Sequence, residues 1–120
     1  MGKIILIVDD DPVGMKLMAS RLSKENYTVL AASDGMEGLV IMKADVPDLL
    51  ILDIEMSGMN GYTVLLEKQK DPAIKDIPVI VQTAHEENRG IFARRGITHY
   101  LVKPVNFDTL LTKIRELAGE

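Results

Sequence analysis

The stretch Ile4-Ile5-Leu6-Ile7-Val8-Asp9-Asp10-Asp11-Pro12 passes without transition from an unbroken aliphatic run to three acids and a proline. Five aliphatics with no polar alternation describe a strand buried on both faces, the condition of a strand in a parallel sheet covered by helices on each side. The acids end it. Asp11 ahead of Pro12 offers a side-chain acceptor at an N-cap and a proline at the first helical position. A helix therefore opens at once, with Val13, Leu17, Met18 and Leu22 expected along its apolar face and Glu25 at its end.

Four more units of the same kind follow. Tyr27 to Ala32 reads as a second strand. Asp34-Gly35-Met36-Glu37 then supplies a capping box, an acceptor at the N-cap with Glu three residues on, for a helix carrying Leu39, Ile41 and Met42. After the break at Pro47-Asp48, Leu49-Leu50-Ile51-Leu52 is apolar enough to be a central strand, and it ends at Asp53. Met56 to Gly61 reads as a loop and Tyr62 to Lys70 as a third helix. Pro78 to Val81 forms a fourth strand that ends near Thr83, and the polar segment His85 to Arg95 contains a short helix around Ile91 and Phe92. His99 to Val102 is the last strand. Asn106 caps a final helix with Phe107, Leu110, Leu111, Ile114 and Leu117 on one face. The chain reads as a doubly wound α/β domain.

The 120 residues suit one core, so a single domain over 1–120 is expected. Hydrophobic residues at 47% and charged residues at 27% match a folded globular domain and exclude disorder and collagen-like repeats. Fourteen Lys and Arg against 18 Asp and Glu leave a net charge of -4, so no overall positive field draws nucleic acid or a membrane surface to the chain. Cysteine is absent, which excludes disulfides, thiolate zinc sites and a cysteine nucleophile and makes the cytoplasm the expected location. The first apolar run is too short for a signal peptide or a membrane span. Leu6 stands where a myristoylation signal after Met1-Gly2 needs Ser or Thr.

In an open parallel sheet, ligands bind beyond the carboxyl ends of the strands, where the strand order reverses. Those ends carry Asp9, Asp10 and Asp11, then Ser33 and Asp34, then Asp53, Thr83 and Lys103. Each alone has an ordinary structural reading as a cap, a turn or a solvated charge. Asp53 is the most telling, because a carboxylate directly after four buried aliphatics needs a partner. Crowded carboxylates attract a hard cation such as Mg²⁺, and Thr83 and Lys103 add a hydroxyl and a positive charge of the kind that phosphoryl oxygens take. His85 and His99 lack metal-ligand spacing, and Glu86, Glu87, Arg89, Arg94 and Arg95 read as an exposed helical face. The seven methionines, led by Met15, Met18, Met36 and Met42, read as core filler.

Together Ile5 to Asp10 (I-L-I-V-D-D), Leu50 to Met56 (L-I-L-D-I-E-M), Val81 to Ala84 (V-Q-T-A) and Tyr100 to Pro104 (Y-L-V-K-P) resemble the receiver domain of two-component response regulators, whose chemotaxis member has a flavodoxin-like five-stranded sheet of order 2-1-3-4-5. The resemblance implies a phosphoacceptor at Asp53, taking a phosphoryl group from a phosphohistidine of a sensor histidine kinase or a phosphotransfer domain. It implies Mg²⁺, with Mn²⁺ as a substitute, held by the carboxylates of Asp10 and Asp53, by Asp9 through water and by the backbone carbonyl of Glu55. Thr83 and Lys103 would hold the remaining phosphoryl oxygens, and Lys103-Pro104 would be a cis peptide. Movement of Thr83 would let Tyr100 turn inward and change the face of the fourth helix, last strand and last helix, where a downstream protein target would dock. Such a protein is a signalling receiver, not an enzyme beyond its own phosphorylation and dephosphorylation, and a stand-alone one is expected.

The chain departs from the family in having Ser57 where proline is usual, Ile97 in place of a typical alanine, and a shorter segment from Thr83 to Lys103, which implies a trimmed fourth helix. Glu55 and His85 occupy positions that tune dephosphorylation in the family. Two alternatives share parts of the pattern. Asp9-Asp10-Asp11-Pro12-Val13 also fits D-x-D-x-V of haloacid-dehalogenase-like phosphatases, with Asp9 as nucleophile and Asp11 as general acid, but this leaves Asp53 unexplained. A pseudo-receiver, a binding module without phosphorylation, typically loses one of the five matched positions, and all five are present here. An FMN-binding flavodoxin is excluded by the acidic loop where its phosphate would sit.

Overall fold

A computed structural model describes residues 2–56, 60–94, 96–97 and 99–119. Along the chain run β1 (Ile4–Val8), α1 (Pro12–Lys24), β2 (Thr28–Ala32), α2 (Gly35–Asp45), β3 (Leu49–Asp53), α3 (Gly61–Lys70), β4 (Val79–Thr83), a 3-10 turn (Glu86–Asn88), α4 (Arg89–Arg94), β5 (Tyr100–Val102) and α5 (Phe107–Ala118). The strands are all parallel in the order β2-β1-β3-β4-β5. Strand order reverses between β1 and β3, which opens the crevice at their carboxyl ends. The expected fold is the observed one.

The strands are aliphatic throughout because both faces are covered. Leu6, Val8, Leu50, Leu52 and Val81 pack with α2, α3 and α4 through Leu39, Met42, Val64, Leu65 and Phe92. The alternate residues Ile5, Ile7, Leu49, Ile51 and Ile80 pack with α1 and α5 through Leu22, Leu110, Leu111 and Ile114. Side chains alternate across a strand, so β3 is buried on both sides along its whole length, Asp53 included. α2 lies so close to β1 that a Cβ on Gly38 would stand 2.7 Å from a methyl of Val8. Such an approach needs glycine.

Caps form where the sequence places them, at Asp11, Asp34 and Asn106, and Asn60, read as loop, caps α3 as well; each accepts a backbone N–H in the first turn of its helix. Glu37 accepts the Ser33 N–H at 2.7 Å, one residue ahead of the Asp34 N–H that a regular capping box would use. β2 starts one residue later than the sequence suggests, because Tyr27 N–H is used to close the end of α1 on Leu22. α3 starts one residue earlier, at Gly61, and β5 starts at Tyr100. α4 is short, as expected, and the Lys103–Pro104 peptide is cis. The Ser57 departure lies outside the described residues.

Two apolar assignments are corrected. Val13 and Leu17 are 68% and 63% exposed; of the expected stripe Met18 and Leu22 do pack, and Met15 and Ala19 complete the packed stripe in their place. Both stripes have helical spacing, and the packing of α1 against the sheet and α5 selects one of them. Met36 is exposed on α2, so it is no core filler, whereas Met42 is fully buried. No helix among the described residues is long and apolar enough to cross a membrane.

Phe92 ties α4 to the sheet. Its ring is fully buried, stacked at 4.9 Å on Tyr62 of α3 and tilted at 5.4 Å against Tyr100 of β5. Phe92→Ala is expected to lower unfolding free energy by about 3–5 kcal/mol in a denaturant titration, while Met36→Ala stays within about 0.5 kcal/mol of the parent.

Candidate functional site

The carboxyl ends of β1, β3, β4 and β5 bring the acidic, hydroxyl and amine groups together. Asp9 follows β1 directly, its N–H held by the Ala32 carbonyl at 3.1 Å, and one of its carboxylate oxygens accepts the Asp11 N–H at 2.9 Å. Asp53 closes β3 opposite Gln82 of β4 and is only 3% exposed. Asp9, Asp10 and Asp53 each present a carboxylate oxygen, all within 4.8 Å of one another. Opposite ligands of an octahedral Mg²⁺ lie about 4 Å apart, and Mg²⁺ takes oxygen donors of this kind. The donor set therefore suits a small, hard divalent cation.

Lys103 reaches into this cluster from the end of β5, where its N–H continues the ladder to the Thr83 carbonyl at 2.8 Å. Its ammonium lies 3.1 Å from one Asp53 oxygen and 3.7 Å from Asp9. The other Asp53 oxygen accepts the Glu55 N–H at 3.1 Å. Burial is the main influence on Asp53 and pushes its pKa up to about 6; Lys103 and the Glu55 amide pull it down, and Asp9 adds repulsion. For Lys103, burial disfavours the charge, but the hydrogen bond to Asp53 and the charges of Asp9, Asp53 and Glu55 outweigh it, so its pKa is raised. The ammonium stays charged at neutral pH.

Thr83 is fully buried at the end of β4. Its hydroxyl donates to the Glu55 carboxylate and accepts the His85 N–H at 3.1 Å. The Ala84 N–H donates to the other Glu55 oxygen at 2.6 Å. Tyr100 is 4% exposed, and its hydroxyl donates to the His85 carbonyl. The Tyr100 ring therefore stands inward, packed against the rim that carries Thr83.

Asp9, Asp10, Asp53 and Lys103 meet as one group, and Thr83, Glu55, His85 and Tyr100 form a second, linked group beside it. Asp11 lies apart in role: its carboxylate caps α1 on Val13 N–H at 3.2 Å. The general acid of the phosphatase alternative is thereby committed to a structural bond. Three features escaped the sequence reading. The Ala84 amide is a backbone donor and carries no side-chain signal. Glu55, expected to serve through its carbonyl, has its carboxylate bonded to the Thr83 hydroxyl and the Ala84 N–H. Gln82 is 2% exposed, with no partner for its side-chain NH₂ among the described residues; its position next to Thr83 on a buried strand was the available clue.

The raised pKa of Asp53 has a consequence for stability. A carboxyl whose folded pKa lies above its ordinary 3.8 favours folding at low pH, and that contribution is lost as pH rises through about 6. Without divalent cations, Asp53→Asn is expected to melt several degrees above the parent at pH 7.5. The difference should shrink toward zero at pH 4, as thermal unfolding followed by circular dichroism would show.

The family model for the response regulator receiver domain matches residues 5–115. PilH of Pseudomonas aeruginosa is 39% identical over 118 residues, covering 96% of this chain and 98% of PilH. PleD of Caulobacter vibrioides is 34% identical, and there the match covers 98% of this chain but 26% of PleD. Among solved structures, the response regulator TrrA of Thermotoga maritima, in complex with Mg²⁺ and BeF, superimposes with a TM-score of 0.85 at 37% identity, covering 96% of this chain and 98% of TrrA. The chemotaxis protein CheY4 of Vibrio cholerae gives 0.88 at 27% identity, covering 98% and 99%. With its 2-1-3-4-5 sheet and this match over nearly its whole length, the chain belongs to the response regulator receiver domain family.

Proposed function

We propose that residues 1–120 act as a single receiver domain that accepts a phosphoryl group on Asp53 in a Mg²⁺-dependent reaction and signals through protein contacts. The observation that carries this reading is the Asp53 carboxylate itself, buried at the end of β3, 3.1 Å from the Lys103 ammonium and clustered with Asp9 and Asp10. The donor is a phosphohistidine of a sensor histidine kinase or a phosphotransfer domain, and the setting is the cytoplasm.

In the transfer step an Asp53 oxygen bonds to phosphorus while the phosphorus–nitrogen bond of the phosphohistidine breaks. The electron pair of that bond stays on the imidazole, which leaves neutral with the proton on its other ring nitrogen. Lys103 is already in contact with the nucleophile and is placed to follow the charge onto the phosphoryl oxygens. Asp10 and Asp53 would hold Mg²⁺ directly, Asp9 through water and Glu55 through its carbonyl. When bound, the ion supplies positive charge that offsets repulsion between the carboxylates and the incoming phosphoryl group. Thr83 and the Ala84 N–H would take a remaining phosphoryl oxygen. In the separate hydrolysis step water attacks phosphorus, the Asp53 oxygen–phosphorus bond breaks with its electron pair returning to the carboxylate, and the water's oxygen and protons leave with inorganic phosphate.

Signal output is assigned to α4, β5 and α5. Tyr100 supports this, because its hydroxyl is joined through the His85 backbone to Thr83, so a change at Thr83 has a short path to the β5 face. A downstream protein target docks there.

Incubation with acetyl phosphate and Mg²⁺ should add one phosphoryl group to the intact mass, lost in Asp53→Asn and on chelation with EDTA. Phosphate release that survives Asp53→Asn and disappears with Asp9→Asn would instead identify a phosphatase, and no uptake by a folded chain a pseudo-receiver. Tyr100→Ala is expected to weaken binding of the partner several-fold more than it slows phosphoryl uptake; an equal loss of both would remove Tyr100 from the output path.

A further inference from the structure

The Glu55 side chain makes contacts that the transfer chemistry does not call for. It is exposed on the turn after β3, yet both of its carboxylate oxygens are engaged. One accepts the Thr83 hydroxyl and the other accepts the Ala84 N–H at 2.6 Å. Two donors from consecutive residues of β4 and its loop thus converge on one anion, an arrangement of charge-assisted hydrogen bonds. A hydroxyl has one proton to donate, and so has a backbone amide. While they serve Glu55 they cannot serve another anion.

The same two donors sit at the end of the strand next to Asp53, since Asp53 stands opposite Gln82, the residue before Thr83. Lys103 senses the Glu55 charge as well as that of Asp53. A carboxylate and a phosphoryl group present paired oxygens of similar separation and like charge. We infer that Glu55 is an internal occupant of the anion seat formed by the Thr83 hydroxyl and the Ala84 amide, and that an incoming phosphoryl group on Asp53 must displace it. The inference rests on the receiver reading above and makes Glu55 a positioning residue that sets how readily the site is filled.

Occupancy by an internal group lowers the apparent affinity for an external one by the fraction of time the seat is free. If Glu55 holds the seat about nine-tenths of the time, an external anion binds about tenfold more weakly than its intrinsic affinity. The reach is specific to glutamate. Aspartate at the same position keeps the charge but falls one methylene short of Thr83 and Ala84.

The test uses the full chain as wild type, Glu55→Asp and Glu55→Ala, all keeping the residue 55 carbonyl. Beryllofluoride, a phosphoryl analogue, is titrated at saturating Mg²⁺, with binding read from the Ala84 amide signal in ¹H–¹⁵N spectra. Both variants should bind about tenfold tighter than wild type. In the ligand-free chains, the Ala84 amide proton should move upfield and exchange faster with solvent than in wild type. Circular dichroism shows that the variants are folded. If Glu55→Asp matches wild type while Glu55→Ala binds more tightly, the effect is one of charge alone and the seat is not occupied by Glu55. Equal affinity in all three, or an unchanged Ala84 amide, also overturns the inference while leaving the receiver reading intact. Failure of every chain, wild type included, to bind beryllofluoride overturns the receiver reading and this inference with it.

Discussion

A carboxylate at the end of a fully buried strand is the constraint around which this molecule is arranged. Burial alone destabilises ionised Asp53, as its raised pKa records, and an unpaired charge there would be expensive. The Lys103 ammonium at 3.1 Å and the Glu55 amide at 3.1 Å offset part of that cost. Lys103 can do so because β5 lies beside β4 in parallel register and delivers the residue after its end to the same rim. Asp9 and Asp10 then add negative charge where one lysine is insufficient, which is the electrostatic condition for a cation to complete the site.

Beside this charged cluster runs a second chain of contacts, made by three side chains and the backbone of one residue. From Glu55 it passes to the Thr83 hydroxyl, through the amide and carbonyl of His85, and ends on the Tyr100 hydroxyl. Tyr100 in turn packs on Phe92, and Phe92 on Tyr62. Polar contacts at the rim and aromatic packing beneath α4 are therefore physically continuous. Thr83 is thus joined by an unbroken line of contacts to side chains packed against the last two strands.

The sheet tolerates this polar rim because its two faces are closed separately. α1 and α5 cover one, α2 to α4 the other, and the alternation of residues along each strand feeds both cores. α1 shows what that arrangement leaves over: the stripe that packs is used up by the sheet and α5, and Val13 and Leu17 remain in solvent. Apolar spacing on a helix states that a face exists, but the neighbours choose which one is buried.

The strands, three of the four side-chain caps and the acids at the strand ends were legible in the sequence because each depends on local chemistry: aliphatic runs, a side-chain acceptor ahead of a helix, a charge that terminates a buried segment. The identity of Asp9, Asp10, Asp53, Thr83 and Lys103 as residues sharing one rim followed from parallel topology, since every strand of such a sheet ends on the same side. The boundary at Tyr27, the buried stripe of α1 and the exposure of Met36 did not follow, because hydrogen bonds and packing between distant segments decide them. Nor did the bonds of the Glu55 carboxylate with Thr83 and the Ala84 amide, or that of the Tyr100 hydroxyl with the His85 carbonyl. Two of these are contacts across 29 and 15 residues of sequence, and a backbone N–H looks the same in every residue that has one. The sequence determined which chemical groups arrive at the rim; the tertiary structure alone decided which of them touch, because hydrogen bonds depend on distances that residue spacing does not encode.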